Sequence, residues 1–345
     1  MGTTEMPSRL AAFAMTFGIA ALMVYALVTG RDLLIPFAIA VMVWYLINAL
    51  KRGVQRWAHA PGWLALTVAI LALIALIGLV VEIISGNIAA VGDAAPTYQA
   101  NVEKLIAKAM KVAGLEQMPT IGQVVEQFDL RTMIKAVAGA AANVAGNAGL
   151  IVIYVMFLLI EQSTFDRKID ALFPEKEREQ MVHEVLADIQ QRIQTYVAVK
   201  TGLSLATGAI SYFIMLAVGL DLAGFWAFLI FLLNYIPTIG SLLGVVFPSL
   251  LAIIQFGDVV PFLVVVVGLG LCQVAIGNVI EPKLMGKSLN VSSLVVIVSL
   301  AVWGSIWGVT GMFLCVPITV ILMIVLAEFK QTRPVAILLS ADGKV

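Results

Sequence analysis

Two stretches interrupt otherwise apolar sequence with groups that could hold a polar solute. The first runs Asn234, Tyr235, Ile236, Pro237, Thr238, Ile239, Gly240, with Gly244 four residues further on. The second runs from Trp303 to Gly311 and includes Gly304 and Gly308. Between them, residues 277–288 carry Asn278, Glu281, Lys283 and Lys287. An amide both donates and accepts hydrogen bonds, which suits a neutral solute. A carboxylate close to the membrane interior can carry a proton or a cation. The candidate pathway is therefore Asn234, Pro237, Gly240, Gly244, Asn278, Glu281, Trp303, Gly304 and Gly308, with Glu281 as the candidate coupling group. Glu281 has a second reading, an ion pair with Lys283 or Lys287 at the membrane interface. The glycines also have one, since Gly240/Gly244 and Gly304/Gly308 match the small-residue spacing of close helix packing.

Other chemistry has little material. His59 and His183 lie far apart in sequence, and Cys272 and Cys315 sit in apolar runs. No metal site, disulfide framework or Ser-His-Asp arrangement follows. His183 reads as a surface residue on a charged helix, and His59 lies too shallow to serve a buried serine. The run Gly286, Lys287, Ser288 resembles the end of a phosphate-binding loop, but Glu281 stands where that loop needs glycine, so nucleotide binding is rejected. An enzyme is not expected, nor a cofactor. The sequon Asn290-Val291-Ser292 would face the cytoplasm and carry no glycan.

Composition explains where these groups must sit. Of 345 residues, 61% are hydrophobic and 12% charged, with a net charge of zero. Mean hydropathy is +1.02. A soluble domain carries about 25% charged residues. Neutrality also excludes a nucleic-acid binder held by bulk positive charge. The expectation is an all-α polytopic membrane protein with about eight hydrophobic segments. These are residues 10–30, 33–50, 57–81, 136–160, 201–220, 222–257, 259–280 and 288–327. The first is too long for a signal sequence. Lys51, Arg52 and Arg56 fall in the loop after the second segment, and Lys330, Arg333 and Lys344 in the tail, which argues for two cytoplasmic termini.

Segments 222–257 and 288–327 are broken by the two polar stretches. Their flanks hold about 12 to 17 residues, short against the ~20 needed to cross a bilayer. They read as re-entrant hairpins of opposite orientation, although two full crossings would preserve the same topology. Such breaks free backbone groups that survive only inside protein or along a wet cavity, and transporters place substrate there.

Two polar insertions remain. Residues 86–135 read as an external helical cap over 97–113, followed by a second short helix with a Thr120/Gln123 capping box. Residues 161–200 read as a cytoplasmic amphipathic helix starting near Pro174, with an Asp188–Arg192 pair. Its stripe of Val182, Val185, Leu186, Ile189, Ile193, Tyr196 and Val197 continues past Lys200 into the next span. The domain scheme is thus 1–85 as three membrane helices, 86–135 as external insertion and 136–160 as a fourth membrane helix. Then come 161–200 as amphipathic segment, 201–330 as transport core and 331–345 as tail.

The run from Asn234 to Ser241 and the run from Gly277 to Gly286 resemble the autoinducer-2 exporter family. So do Leu294, Ser299, Leu300, Gly311, Met312 and Pro317, and the early run Leu34, Ile35, Pro36, Phe37. The resemblance implies a bacterial inner-membrane transporter without ATPase, exporting a small polar signal of the autoinducer-2 type. It also implies a sodium(lithium)/proton antiporter as alternative, and homo-oligomers, pentamers among them. A non-transporting scaffold recruiting partners through 161–200 is a third reading.

Overall fold

A computed structural model describes residues 9–75, 146–173, 175–285 and 289–344, with isolated positions between 78 and 105. The described residues are helical almost throughout, apart from one isolated bridge between Val291 and Ser340. In order they are α1 (Arg9–Thr29), α2 (Arg31–Ala58), α3 (Gly62–Ala75), α4 (Ala148–Glu161), α5 (Phe165–Leu172), α6 (Lys176–Val218) and α7 (Ala223–Leu233). Then follow α8 (Ile239–Phe256), α9 (Val259–Met285), α10 (Ser293–Glu328) and α11 (Arg333–Leu339). Five of these are long and apolar enough to cross a bilayer, or six if the bent pair α4–α5 counts as one. Helices are the expected answer, because hydrocarbon leaves every backbone group to be bonded within its own segment.

Both broken segments fold back on themselves. In the first, α7 ends at Leu233, the chain turns through Asn234–Thr238, and α8 returns. Thr238 takes the strained pair φ 57°, ψ −55°. A Cβ on Gly240 would lie 1.7 Å from the Leu233 carbonyl oxygen, so the two arms meet backbone to backbone. In the second, α10 reverses at Gly308, whose φ 61°, ψ −141° only glycine adopts readily. A Cβ on Gly311 would lie 1.9 Å from the Trp303 carbonyl oxygen. Eight residues of continuous helix would separate those groups by about 12 Å. The chain has therefore turned back on itself. Gly244 faces Ile230 and Gln273, and Gly304 faces Met312, so these two glycines serve packing.

The 43-residue helix α6 ties the structure together. At 1.5 Å per residue it is about 64 Å long, twice the hydrocarbon thickness. Its second half packs with the first hairpin and α9 in a core of Met215, Phe225, Trp226, Ile230, Leu251, Val265 and Leu269. Its middle packs, through Ile193, Tyr196 and Val197, against Tyr45 of α2, Ile236 at the first turn, and Leu300, Cys315 and Val316 of α10. A third cluster joins α2, α3 and α4 through Ala40, Ile47, Ala69, Ile151 and Val155. The expected continuation of the amphipathic stripe past Lys200 is this single helix, and the Asp188–Arg192 pair forms at 2.8 Å. Pro174, 106–145 and 286–288 lie outside the described residues, and with them the expected Thr120/Gln123 capping box and most of the expected helix over 97–113.

Two expectations change. Lys51, Arg52 and Arg56 do not form a loop, because α2 continues to Ala58. Arg52 Nη1 donates to Gln194 Oε1 of α6 at 2.5 Å, which gives the basic turn a helical partner. The segment at 259–280 also runs on to Met285, through a π-helical turn at Val274–Ile280. Glu281 and Pro282 therefore lie within helix rather than at its end. A proline fits there because it stands in the first turn after the π segment.

Candidate polar site between α6, α9 and the hairpins

Lys200, Ser204, Thr207 and Ser211 stand at intervals of four, three and four on α6. At 100° per residue they fall within a 60° sector of one face. All four are buried. Ser211 faces Cys272 of α9, and Thr207 satisfies its own hydroxyl on the Leu203 carbonyl at 2.8 Å.

The first hairpin docks its turn on this face. Asn234 is 6% exposed, and its Nδ2 donates to Ser204 Oγ at 3.0 Å. The Thr201 hydroxyl donates to Val197 O, so the 2.6 Å contact with Tyr235 is a phenol donating to Thr201 Oγ1. Tyr235 then stacks on Phe313 of the second hairpin, with centroids 4.4 Å apart. The first turn thus lies between α6 and the returning arm of α10. Counting from Val218 to Ser204, it lies about 21 Å along α6 from the loop where α7 begins.

Next to it, Lys200 Nζ donates to Glu281 Oε1 at 2.6 Å. The side chains are 7% and 21% exposed. Among the described residues the partner of Glu281 is thus a lysine from another helix and not Lys283, while Lys287 lies outside the described residues. The reason is geometric: α9 packs along α6, and the π turn ahead of Glu281 sets which way the carboxylate points. Tyr196, one turn from Lys200, lies near enough to Glu281, Tyr235 and Cys315 to interact with each electrostatically.

The remaining candidates are more scattered. Gly240 and Gly244 are buried within the first hairpin, and Pro237 is half-buried at its turn. Asn278 is exposed on the π turn, whereas Asn234 is buried. Trp303 and Gly304 are half-buried and Gly308 is exposed in the second hairpin. Trp303 and Trp307 pack at 5.5 Å, and Trp307 Nε1 donates to Leu27 O of α1 at 3.0 Å. Sequence reading missed Lys200, Ser204, Thr207 and Ser211. The signal was present, as small polar residues recurring at helical spacing through an apolar span.

Two contacts lie outside this centre. Tyr98 donates its hydroxyl to Asp221 Oδ2 at 2.8 Å, and Asn101 Nδ2 donates to Gln255 O at 2.6 Å, so the insertion touches both ends of the first hairpin. Burial, and then the Asp221 carboxylate, push the Tyr98 phenol well above its usual range. Between α5 and α6, ligand atoms of Asp170, Glu179 and His183 gather within 4.8 Å of one another. A 2.8 Å ion pair between His183 and Asp170 accounts for that grouping.

The sequence profile of the AI-2E family transporter matches residues 15–331. The AI-2 transport protein TqsA of Escherichia coli (strain K12) is 26% identical over 324 residues, covering 91% of each chain. A putative transport protein of Haemophilus influenzae is 27% identical over 317 residues, 90% of each. The putative transport protein YhhT of Escherichia coli (strain K12) is 28% identical over 322 residues, 90% of this chain and 88% of its own. A match spanning both hairpins and the helices around them makes this chain a member of the AI-2E transporter family.

Proposed function

We propose that the protein exports a small, neutral, polar solute of the autoinducer-2 type across a bacterial inner membrane, with both termini cytoplasmic. The observation that carries this reading is the polar face of α6 meeting the broken end of the first hairpin at Ser204–Asn234 and Thr201–Tyr235. An otherwise apolar bundle buries hydroxyls and an amide there, where a neutral solute could exchange hydrogen bonds. The name of the relative TqsA, an AI-2 transport protein, supports the solute class. Asn234→Ala should raise intracellular signal relative to wild type in producing cells, as should Glu281→Ala. Unchanged retention in both variants refutes the site. Purified protein in liposomes, challenged with a solute panel under imposed proton and sodium gradients, tests the solute class directly.

Sodium(lithium)/proton antiport is the second reading, favoured by the buried Lys200–Glu281 pair. A carboxylate held by a tethered ammonium can release it in favour of a proton or a free cation. Everted vesicles should then show sodium-driven proton movement, abolished by Glu281→Gln. Absence of any sodium response removes this reading. We further propose a homo-oligomer, to be measured by mass in detergent.

A further inference from the structure

Three features meet at Glu281, and packing explains none of them. The first is the ion pair with Lys200. Removing two charges from water is costly, and an apolar pair of similar volume commonly serves stability as well. The second is Tyr196, 4% exposed, whose hydroxyl makes no hydrogen bond among the described residues. Phenylalanine would fill the same volume without an unpaired buried hydroxyl. The third is the seven-residue π turn that ends immediately before Glu281. Such turns are rare and cluster at functional sites.

Together these describe a group with two seats. Tyr196 and Lys200 stand four residues apart on one face of α6, about 6 Å along its axis. Glu281 lies on Lys200 and within electrostatic reach of Tyr196. If the π turn relaxes to α-helical pairing, the residues after it shift by about one position, a rotation of about 100°. That rotation takes the carboxylate off Lys200. The unpaired phenol beside it is a ready donor, and a phenol–carboxylate bond is of the strong, charge-assisted kind. Tyr235 is not available for this role, since its hydroxyl is already given to Thr201.

We infer that Tyr196 is a positioning residue that receives the Glu281 carboxylate when it leaves Lys200, the π turn at Val274–Ile280 absorbing the change. This rests on the transport reading above for its purpose, but its geometry can be tested without any solute. Thermal midpoints of the purified full-length chain are measured for the cycle Tyr196→Phe against Glu281→Gln. The cycle is run once with Lys200 present and once with Lys200→Met.

With Lys200 present the two changes should add, because the seat is empty in this state. With Lys200→Met they should depart from additivity by about 2 °C or more, the scale of one strong hydrogen bond in a chain of this size. Additivity in both backgrounds overturns the inference. If Lys200→Met does not yield folded protein, Lys200→Gln replaces it with the same two outcomes. In liposomes carrying a transported solute, Tyr196→Phe should lower kcat about tenfold with KM unchanged, as one charge-assisted bond lost only during the cycle predicts. Wild-type kcat in that variant also overturns the inference. Failure of wild-type protein to move any solute of the panel counts against the export reading and leaves the stability cycle to decide this one.

Discussion

The two hairpins share a backbone device and differ in everything attached to it. Each presses a glycine, Gly240 or Gly311, onto a carbonyl of its own first arm. The first hairpin turns through five residues that carry an amide, a phenol and a hydroxyl, and hydrogen-bonds its turn to α6. The second turns on Gly308 and meets α1 through an indole on a backbone carbonyl. Buried polar side chains bonded to another helix therefore gather at the first turn, while in the second turn Ser305 donates to Val302 O of its own arm and two indoles pack together. Under the export function proposed above, the first turn is the one assigned to the solute, and the second is left the role of opening and closing.

The largest effects should come from what the hairpins share. In Gly240→Val or Gly311→Val, side-chain atoms would meet a carbonyl at a distance no contact tolerates, and backbone cannot yield as a flexible side chain does. Each should cost about 4 kcal/mol or more, among the severest single changes. Both variants should be lost from the monodisperse peak in detergent size-exclusion chromatography. A folded Gly311→Val with Gly240→Val lost would show that the second hairpin's arms can separate and the first's cannot.

The next effect sharpens the difference. Lys200→Met or Glu281→Gln alone should destabilise by roughly 1 to 3 kcal/mol, since Lys200 is buried and Glu281 half-buried and each loses its counter-charge. The double variant should recover most of that loss, because an apolar or neutral pair has no charge to compensate. Thermal midpoints of the three variants measure this. A double variant as unstable as the sum of the singles would show that the pair is not an isolated couple.

These predictions also mark what the sequence could disclose. Both breaks are visible in it, because Asn234 to Gly240 and Gly304 to Gly308 interrupt long apolar runs with polar and glycine residues. The single helix through Lys200 is visible too, because the apolar stripe does not change phase there. The Lys200–Glu281 pair is not, since its members lie 81 residues apart and Lys283 offers a nearer partner in sequence. Nothing in Val274–Ile280 marks a π turn, which arises from how α9 packs rather than from any residue type. Lys51, Arg52 and Arg56 mislead for a related reason: charge marks the membrane boundary but does not stop a helix whose arginine finds a glutamine on its neighbour.

Gly308→Ala is a smaller test of the second turn alone. Gly308 has open space where a Cβ would go, so the cost comes from backbone conformation and not from collision. At φ 61°, ψ −141° that cost is about 1 to 3 kcal/mol. The variant should fold, with a modestly lower thermal midpoint. If the second turn only opens and closes, transport should slow without loss of solute affinity. Weaker affinity would mean that the second turn takes part in recognition, and the contrast between the hairpins would fail.

The smallest effect lies outside both hairpins and calibrates the rest. His183 on α6 has its pKa raised above the ordinary value, chiefly by the hydrogen bond to Asp170 and further by Asp166 and Glu179. A group whose folded pKa exceeds its unfolded value contributes stability that is fully present below the unfolded pKa, about 6.5, and lost as pH rises through the folded one. The thermal midpoint should therefore carry a shallow decline on raising pH from about 6 upward. Asp170→Asn should flatten it by removing the main cause. Because His183 is exposed, the decline should also shrink with salt, as surface pairs do. The buried Lys200–Glu281 contribution should resist salt far better. If added salt weakened both equally, the Lys200–Glu281 pair would be behaving as a solvated surface contact like the His183–Asp170 pair.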